Sequence, residues 1–100
     1  MSRPIKHRMV ASTPDVTYFK PRAVPLCELE EVCLSVEESE ALRLRFLEKL
    51  DQEKAAKKMQ VSRTTFSRVL YSAGEKVSDA LINGKAIRIE GGAFKIKKKR

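Results

Sequence analysis

The 100-residue sequence has no tryptophan, one histidine and two cysteines. With only His7, and with no glycine-rich phosphate loop or usable carboxylate pair, we expect neither an enzyme nor a cofactor. Cys27 and Cys33 are too few for a disulfide framework, and with His7 they match no zinc-binding spacing, so no metal is expected. Buried free thiols are favoured, and a redox-sensing cysteine pair is the alternative.

Long apolar runs are also missing. No stretch approaches the roughly 20 residues that cross a bilayer, and the start, MSRPIKHRMV, lacks the apolar region of a signal peptide. We therefore expect a reduced, cytoplasmic protein with no membrane partner. The length suits a single domain, residues 1–100.

Positive charge is abundant but unevenly distributed. The net charge of +8 divides into +4 over residues 1–25, −6 over 26–53 and +10 over 54–100. Such a field indicates a nucleic-acid partner. Four prolines in residues 1–25 exclude a long helix there and predict an irregular basic arm, with short extended pieces at Ile5–Val10 and Val16–Phe19.

Residues Gln52–Leu70 read as a short helix, a tight turn and a second helix. Ser62 is a good N-cap for the second helix, and Phe66 then begins an inward-facing apolar pattern. The outer face of this helix is polar and basic at its N-terminal end. A helix-turn-helix reads DNA with that part of its second helix.

The flanking segments complete a helical core over residues 35–83. Ser35 begins a capping box with Glu38, Asp51 caps the next helix, and Gly84 suits a helix C-terminus. Residues 85–97 alternate around Gly91-Gly92 and predict a β-hairpin, with Arg88 opposite Lys95. Because an isolated hairpin is marginal, a third strand is expected from Ile5–Val10 or Val16–Phe19. A basic tail, residues 98–100, follows.

The Gln52–Leu70 stretch resembles the helix-turn-helix of repressors and of sigma-70 region 4. Its Gln60 departs from the glycine preferred there, which predicts a non-glycine residue with positive φ. More widely, the chain is similar to the bacterial and archaeal family called domain of unknown function 134. The likeness rests on FKP at 19–21, ESEALRL at 38–44, Gln52–Met59, VSR at 61–63 and the segment from Asp79 to Gly92. Gly74 is a second departure, since the family tends to carry a basic residue there.

The resemblance implies a mainly α fold with a sigma-70 region-4-like helix-turn-helix, and presumed transcriptional regulation. We expect sequence-specific binding of double-stranded DNA in the major groove, by a homodimer on a two-fold site. The long helix after Leu70 and the hairpin are the candidate dimer interface. The base-reading residues are predicted to be Arg63, Thr64, Ser67 and Arg68. Phosphate contacts are predicted for Gln52, Ser62, Thr65 and Tyr71, and auxiliary ones for Arg3, Lys6, Arg8, Lys57, Lys58, Arg88 and Lys95.

Two other functions remain open at this point. An interaction module would dock the acidic face of residues 28–40 on a basic protein such as an RNA polymerase subunit. An RNA-binding protein would use the basic tail and hairpin. For the N-terminal cations, a solvated terminus is the alternative to a contact with phosphates or a minor groove.

Overall fold

The computed structural model describes residues 7–96. Several predicted features lie outside this range: Ile5 and Lys6 of the predicted extended piece, the auxiliary contacts Arg3 and Lys6, the last hairpin residue Lys97 and the basic tail 98–100. Helices and short strands together form a small α/β domain. The helices are α1 (Val36–Leu42), α2 (Gln52–Met59) and α3 (Arg63–Asn83), and the strands are β1 (Arg8–Val10), β2 (Tyr18–Phe19), β3 (Glu31–Leu34), β4 (Ala86–Ile89) and β5 (Phe94–Ile96).

Helix α1 begins with the predicted capping box. The Ser35 hydroxyl accepts from the Glu38 N–H at 3.2 Å, and the Glu38 carboxylate accepts from the Ser35 N–H at 2.8 Å. The helix widens into a π-helical segment over Arg43–Leu47, where the Glu48 N–H donates to the Arg43 carbonyl. Lys49 then adopts φ 59°. This left-handed residue ends the helix and turns the chain toward α2.

A tight turn joins α2 to α3. The side chain of Asp51 caps α2, and the side chain of Ser62 caps α3 by accepting from the Thr65 N–H at 3.1 Å. Between them Gln60 adopts φ 56° and ψ 44°. The positive φ predicted at this non-glycine position is therefore confirmed. Helix α3 ends at Gly84, whose φ is 66°.

Two apolar clusters support the helices. The first packs Phe66 of α3 against Met59 of α2 and Leu44, with small residues that let the helices approach closely. The second joins Ala73 of α3 to Val10 of β1 and to the strands β3 and β4. Helix α3 thus connects the two clusters, and its inward face is fixed along most of its length.

The predicted C-terminal hairpin is wrong. Strand β4 lies between β2, which it pairs with antiparallel, and β3, which it pairs with parallel. Strand β5 instead pairs with β1, in parallel. Arg88 consequently lies opposite Tyr18 and Cys33 rather than opposite Lys95. The prediction of a further strand from the N-terminal region is confirmed in part. One predicted extended segment contains β1, which pairs with β5, and the other contains β2, which pairs with β4.

The start of α1 explains why the hairpin does not form. The Val36 N–H donates to the Gly91 carbonyl at 3.0 Å, and the Ala93 N–H donates to the Glu37 carboxylate at 3.3 Å. Gly91 and Gly92 have φ of 75° and 104°, and they carry the chain past α1 instead of folding β5 back onto β4. A Cβ on Gly92 would lie 1.9 Å from Glu37 Oε1, so only glycine fits there.

Candidate nucleic-acid interface

One stripe of exposed side chains runs along the outer face of α3. Thr64, Arg68, Tyr71 and Glu75 recur at intervals of three and four residues, and all are exposed, with Arg63 beside them at the first turn. Tyr71 is 70% exposed. The stripe begins with two arginines and ends with a carboxylate. A polyanion therefore fits its N-terminal half and is repelled at Glu75.

The buried face of α3 holds this stripe in place. Phe66 is completely buried, and Val69 and Leu70 pack against the same cluster. These three residues alternate with the exposed ones at helical spacing. The outer side chains therefore project from a supported helix.

Ser67 and Gln52 contact each other across the two helices. The Ser67 hydroxyl donates to the side-chain oxygen of Gln52, and both residues are half-buried. Ser67 is predicted to read a base, but its hydroxyl hydrogen is donated to another residue of the same chain. The bond leaves the Gln52 amide nitrogen, a donor only, directed away from Ser67.

Ser62 and Thr65 lie at the N-terminus of α3. Their hydroxyl oxygens are 3.0 Å apart, with Ser62 donating to Thr65. With Arg8, Gln60 and Val61 they line a polar recess beside the turn. We call this the turn recess. Because Ser62 and Thr65 flank Arg63 and Thr64 in sequence, the recess lies at the same end of α3 as the two exposed residues.

The auxiliary cations fall into two groups. Lys57, Lys58 and Lys95 are exposed. Arg8 and Arg88 are each engaged by carboxylates of the same chain, in ion pairs of 3.0 Å with Glu37 and 3.1 Å with Glu31.

Arg88 takes part in a surface network rather than standing free. Its guanidinium lies 5.0 Å from the centre of the Tyr18 ring, and the Tyr18 hydroxyl donates to Glu31. The hydrogen bonds from Arg88 and from Tyr18 lower the pKa of Glu31. The charge of Arg88 is thus largely balanced within the chain.

Three acidic residues of α1 are unexpectedly buried: Glu37, Glu38 and Glu40 are each no more than 7% exposed. Glu38 accepts from Ser72 and from Lys76 of α3, the latter at 2.8 Å. Within the acidic face predicted over 28–40, the exposed acids are Glu28, Glu30 and Glu31. The exposed acidic surface on which a basic partner protein could dock is therefore smaller than the sequence indicates.

The surroundings of Glu38 and of Glu40 lower the pKa of both carboxyl groups. Burial alone raises the pKa of each carboxyl. For Glu38, hydrogen bonds from Lys76, Ser72 and the Ser35 N–H outweigh burial, so its pKa is lowered. For Glu40, hydrogen bonds from Arg43 and the Ala11 N–H likewise lower the pKa. Both carboxylates are stabilised as anions and tie α1 to other elements.

The prediction of buried thiols is wrong, because Cys27 and Cys33 are both exposed. Cys27 lies in a short 3-10 turn, Leu26–Glu28, and Cys33 on β3, at an edge of its sheet. Across residues 7–96, no three His, Cys, Asp or Glu side chains are grouped as metal ligands. Over the same range, no helix combines the length and apolarity that spanning a membrane requires.

Comparison with known proteins identifies relatives along nearly the whole chain. A UPF0251 protein of Caldanaerobacter subterraneus is 59% identical over 96% of this chain and 81% of its own length. One from Thermoanaerobacter pseudethanolicus is 57% identical with the same coverage. A third, from Moorella thermoacetica, is 62% identical over 94% of this chain and 63% of its own length. No solved structure matches the chain. The family model "Protein of unknown function DUF134" matches residues 1–97, and the chain therefore belongs to that family.

Proposed function

We propose that the protein binds double-stranded DNA sequence-specifically and regulates transcription, with α2 and α3 acting as a helix-turn-helix like that of sigma-70 region 4. The observation that carries the proposal is the exposed stripe at the start of α3. Within the part of the chain that the structure describes, neither Arg63 nor Arg68 forms an ion pair. Their charges are available to a ligand.

The stripe has the chemistry of base reading. Arg63 and Arg68 offer planar donor groups that match the two acceptors of guanine in the major groove, and each such contact discriminates by about 1–3 kcal/mol. Thr64, exposed between them, offers a hydroxyl and a methyl group. Glu75 sets the limit of the DNA-facing surface, so the reading segment spans about two turns of α3.

The groups around the stripe have the chemistry of phosphate binding. Tyr71 is part of the stripe itself, Gln52 lies beside it at the start of α2, and the turn recess adds the hydroxyls of Ser62 and Thr65. Contacts of this kind hold a protein in register without reading sequence. Lys57 and Lys58, both exposed on α2, add non-specific attraction.

A homodimer follows from the size of the reading segment. Two turns of helix contact few base pairs, and helix-turn-helix proteins commonly extend their site by pairing two copies on a two-fold sequence. Helix α3 continues far beyond the reading segment to Asn83. Its C-terminal part is the surface that we propose for the second copy.

Selection of bound duplexes from a random DNA library tests the proposal. Wild type is compared with Arg63→Ala/Arg68→Ala and with the control Lys20→Ala/Arg22→Ala. The control removes the same charge, and its Lys20 lies beside Leu81 and Gly84 at the opposite end of α3. Because that end is also the surface proposed for the second copy, the oligomeric state of the control is measured alongside and should match that of wild type. We expect a motif with wild type and with the control, and none with the reading-face variant.

Two results would contradict the proposal. If wild type selects no motif and its binding is weak and strongly salt-dependent, the protein is attracted to DNA only by non-specific charge. That result would favour the hypothesis of docking on a protein. Tighter binding to RNA than to duplex DNA of the same sequence would favour the RNA hypothesis.

A further inference from the structure

A cavity of about 230 Å³ lies between strand β1, helix α1 and helix α2, and we call it the junction cavity. Its apolar lining includes Val10 and Leu44, which are 1% and 2% exposed. Leu44 belongs to the first apolar cluster and Val10 to the second, so the cavity touches both. Pockets for drug-sized ligands measure roughly 300–1,000 Å³. The junction cavity therefore suits a smaller molecule that has an apolar part.

The π-helical end of α1 forms one wall of the junction cavity. The Glu48 N–H reaches back five residues to the Arg43 carbonyl at 2.9 Å, and the Leu50 N–H donates to the Leu44 carbonyl at 3.1 Å. These bonds fold the segment so that four of its residues line the cavity: Arg43, Leu44, Glu48 and Leu50. Single-turn π-helical segments inside α-helices are rare and occur frequently at functional sites. The irregular end of α1 is thus a first indication of a ligand site.

A fixed ion-pair network forms the acidic side of the cavity. Arg43 donates to both carboxylate oxygens of Glu40, at 2.8 and 2.9 Å, and to one oxygen of Glu48 at 3.3 Å. Glu40 is 6% exposed, whereas the side chain of Glu48 is 55% exposed. Across residues 7–96, the second oxygen of Glu48 accepts no hydrogen bond. Two carboxylates and one guanidinium leave this side with a net negative charge, and Glu48 can accept from a ligand.

Lys58 of α2 lines the same cavity and carries the opposite charge. Its side chain is exposed, and no carboxylate in the described part of the chain forms an ion pair with it. The cavity thus combines an apolar lining, a carboxylate with a free oxygen and an ammonium group. A ligand with a single charge can satisfy only one of the two ionic groups. A zwitterion with an apolar part matches all three features.

We propose that the junction cavity binds a free α-amino acid with an aliphatic side chain. The ligand's carboxylate pairs with Lys58, its ammonium group donates to Glu48, and its side chain packs on Val10 and Leu44. Hydrogen bonds between ionised partners are about twice as strong as those between neutral groups, so the two charged contacts supply most of the selectivity. No residue of α3 lines the cavity, and the proposal is therefore independent of DNA reading by that helix.

Isothermal titration calorimetry on the full chain tests the proposal with four probes. L-Leucine carries all three features. L-Leucinamide lacks the carboxylate, 4-methylpentanoate lacks the ammonium group, and glycine lacks the side chain. We expect leucine to bind roughly tenfold more tightly than each of the other probes, because each of them loses one of the three contacts.

Two variants assign the ionic contacts to their residues. Lys58→Gln should bind leucine and leucinamide alike, and Glu48→Gln should bind leucine and 4-methylpentanoate alike. Lys57→Gln and Glu53→Gln are the matched controls, because they remove the same charges from exposed positions of α2 that do not line the cavity. Both controls should keep the wild-type preferences. Equal melting temperatures of the four variants exclude a loss of folding as the cause.

Three results would overturn the proposal. The first is an absence of leucine binding at millimolar concentrations. The second is equal affinity for leucine in wild type, Lys58→Gln and Glu48→Gln, which would place the amino acid outside the junction cavity. The third is binding of 4-methylpentanoate as tight as that of leucine, which would show a site for simple carboxylates. The library selection contains no amino acid, so the function proposed for α3 is tested separately.

Discussion

The hydroxyl of Ser67 donates to the side-chain oxygen of Gln52 and so links α3 to the first residue of α2. The bond relates two side chains that the sequence assigned to different tasks, one to bases and the other to phosphates. In the structure Ser67 positions Gln52. This leaves the amide nitrogen of Gln52 as the group that would donate to a phosphate in the proposed DNA complex.

Ser67→Ala removes this link. We expect a loss of affinity for the selected duplex of roughly two- to twelve-fold, since a typical hydrogen bond contributes about 0.5–1.5 kcal/mol. The preferred base sequence should not change, because phosphate contacts carry no sequence information. Repeating the library selection with this variant checks both points. A preference lost at one base-pair position would show instead that Ser67 reads a base.

Gln60→Gly should stabilise the protein by roughly 1 kcal/mol. Gln60 has φ 56°, a conformation that glycine adopts without the strain of a Cβ. Urea unfolding measures the change, and the selected DNA motif should be unaffected because Gln60 lies in the turn rather than on the outer stripe of α3. An unchanged or lower free energy of unfolding would show that the Gln60 side chain stabilises the turn.

Gly92→Ala should destabilise the protein by about 2–4 kcal/mol. The added Cβ would overlap Glu37 Oε1, and moving that carboxylate disrupts its ion pair with Arg8. Gly74→Ala is the matched control. Gly74 is inside α3, and no atom outside the adjoining helix backbone lies within 4 Å of a Cβ there, so alanine should stabilise the helix by about 0.5–1 kcal/mol. A Gly92 variant as stable as wild type would contradict this account of the β4–β5 connection.

Acid should weaken the fold through Glu38 and Glu40. Folding lowers the pKa of both carboxyls below the ordinary value of 4.5. Their stabilisation is therefore complete above about pH 4.5 and is lost as the pH falls through the lower folded-state values. Urea unfolding from about pH 7 to about pH 3 measures the loss. Glu38→Gln should reduce the steepness of this pH dependence, and an unchanged steepness would contradict the assignment.

Short-range features of the fold are predictable from sequence. The caps at Ser35, Asp51 and Ser62 depend on residues within three positions, and all three are confirmed. The left-handed turn at Gln60 and the family are confirmed as well. These predictions succeed because a cap or turn is decided by its own few residues.

Long-range features are not predictable in this way. The alternating apolar pattern on both sides of Gly91-Gly92 satisfies the sequence rules for a hairpin. In the structure the N-terminus of α1 contacts both sides of this turn and separates β4 from β5. The burial of Glu37 was also missed, because its partner Arg8 is 29 positions away. For the candidate site, the helical period identified the exposed stripe, and only the tertiary contact showed that Ser67 is engaged by Gln52.

The most direct test of the central claim measures the affinity of wild type and Arg68→Ala for the selected duplex and for duplexes with each single base pair changed. We expect wild type to discriminate by roughly 5- to 150-fold at the position that Arg68 contacts, which corresponds to about 1–3 kcal/mol. Arg68→Ala should bind all four base pairs at that position alike and keep its preferences elsewhere. An Arg68→Ala variant that retains every wild-type preference would contradict base reading by this residue.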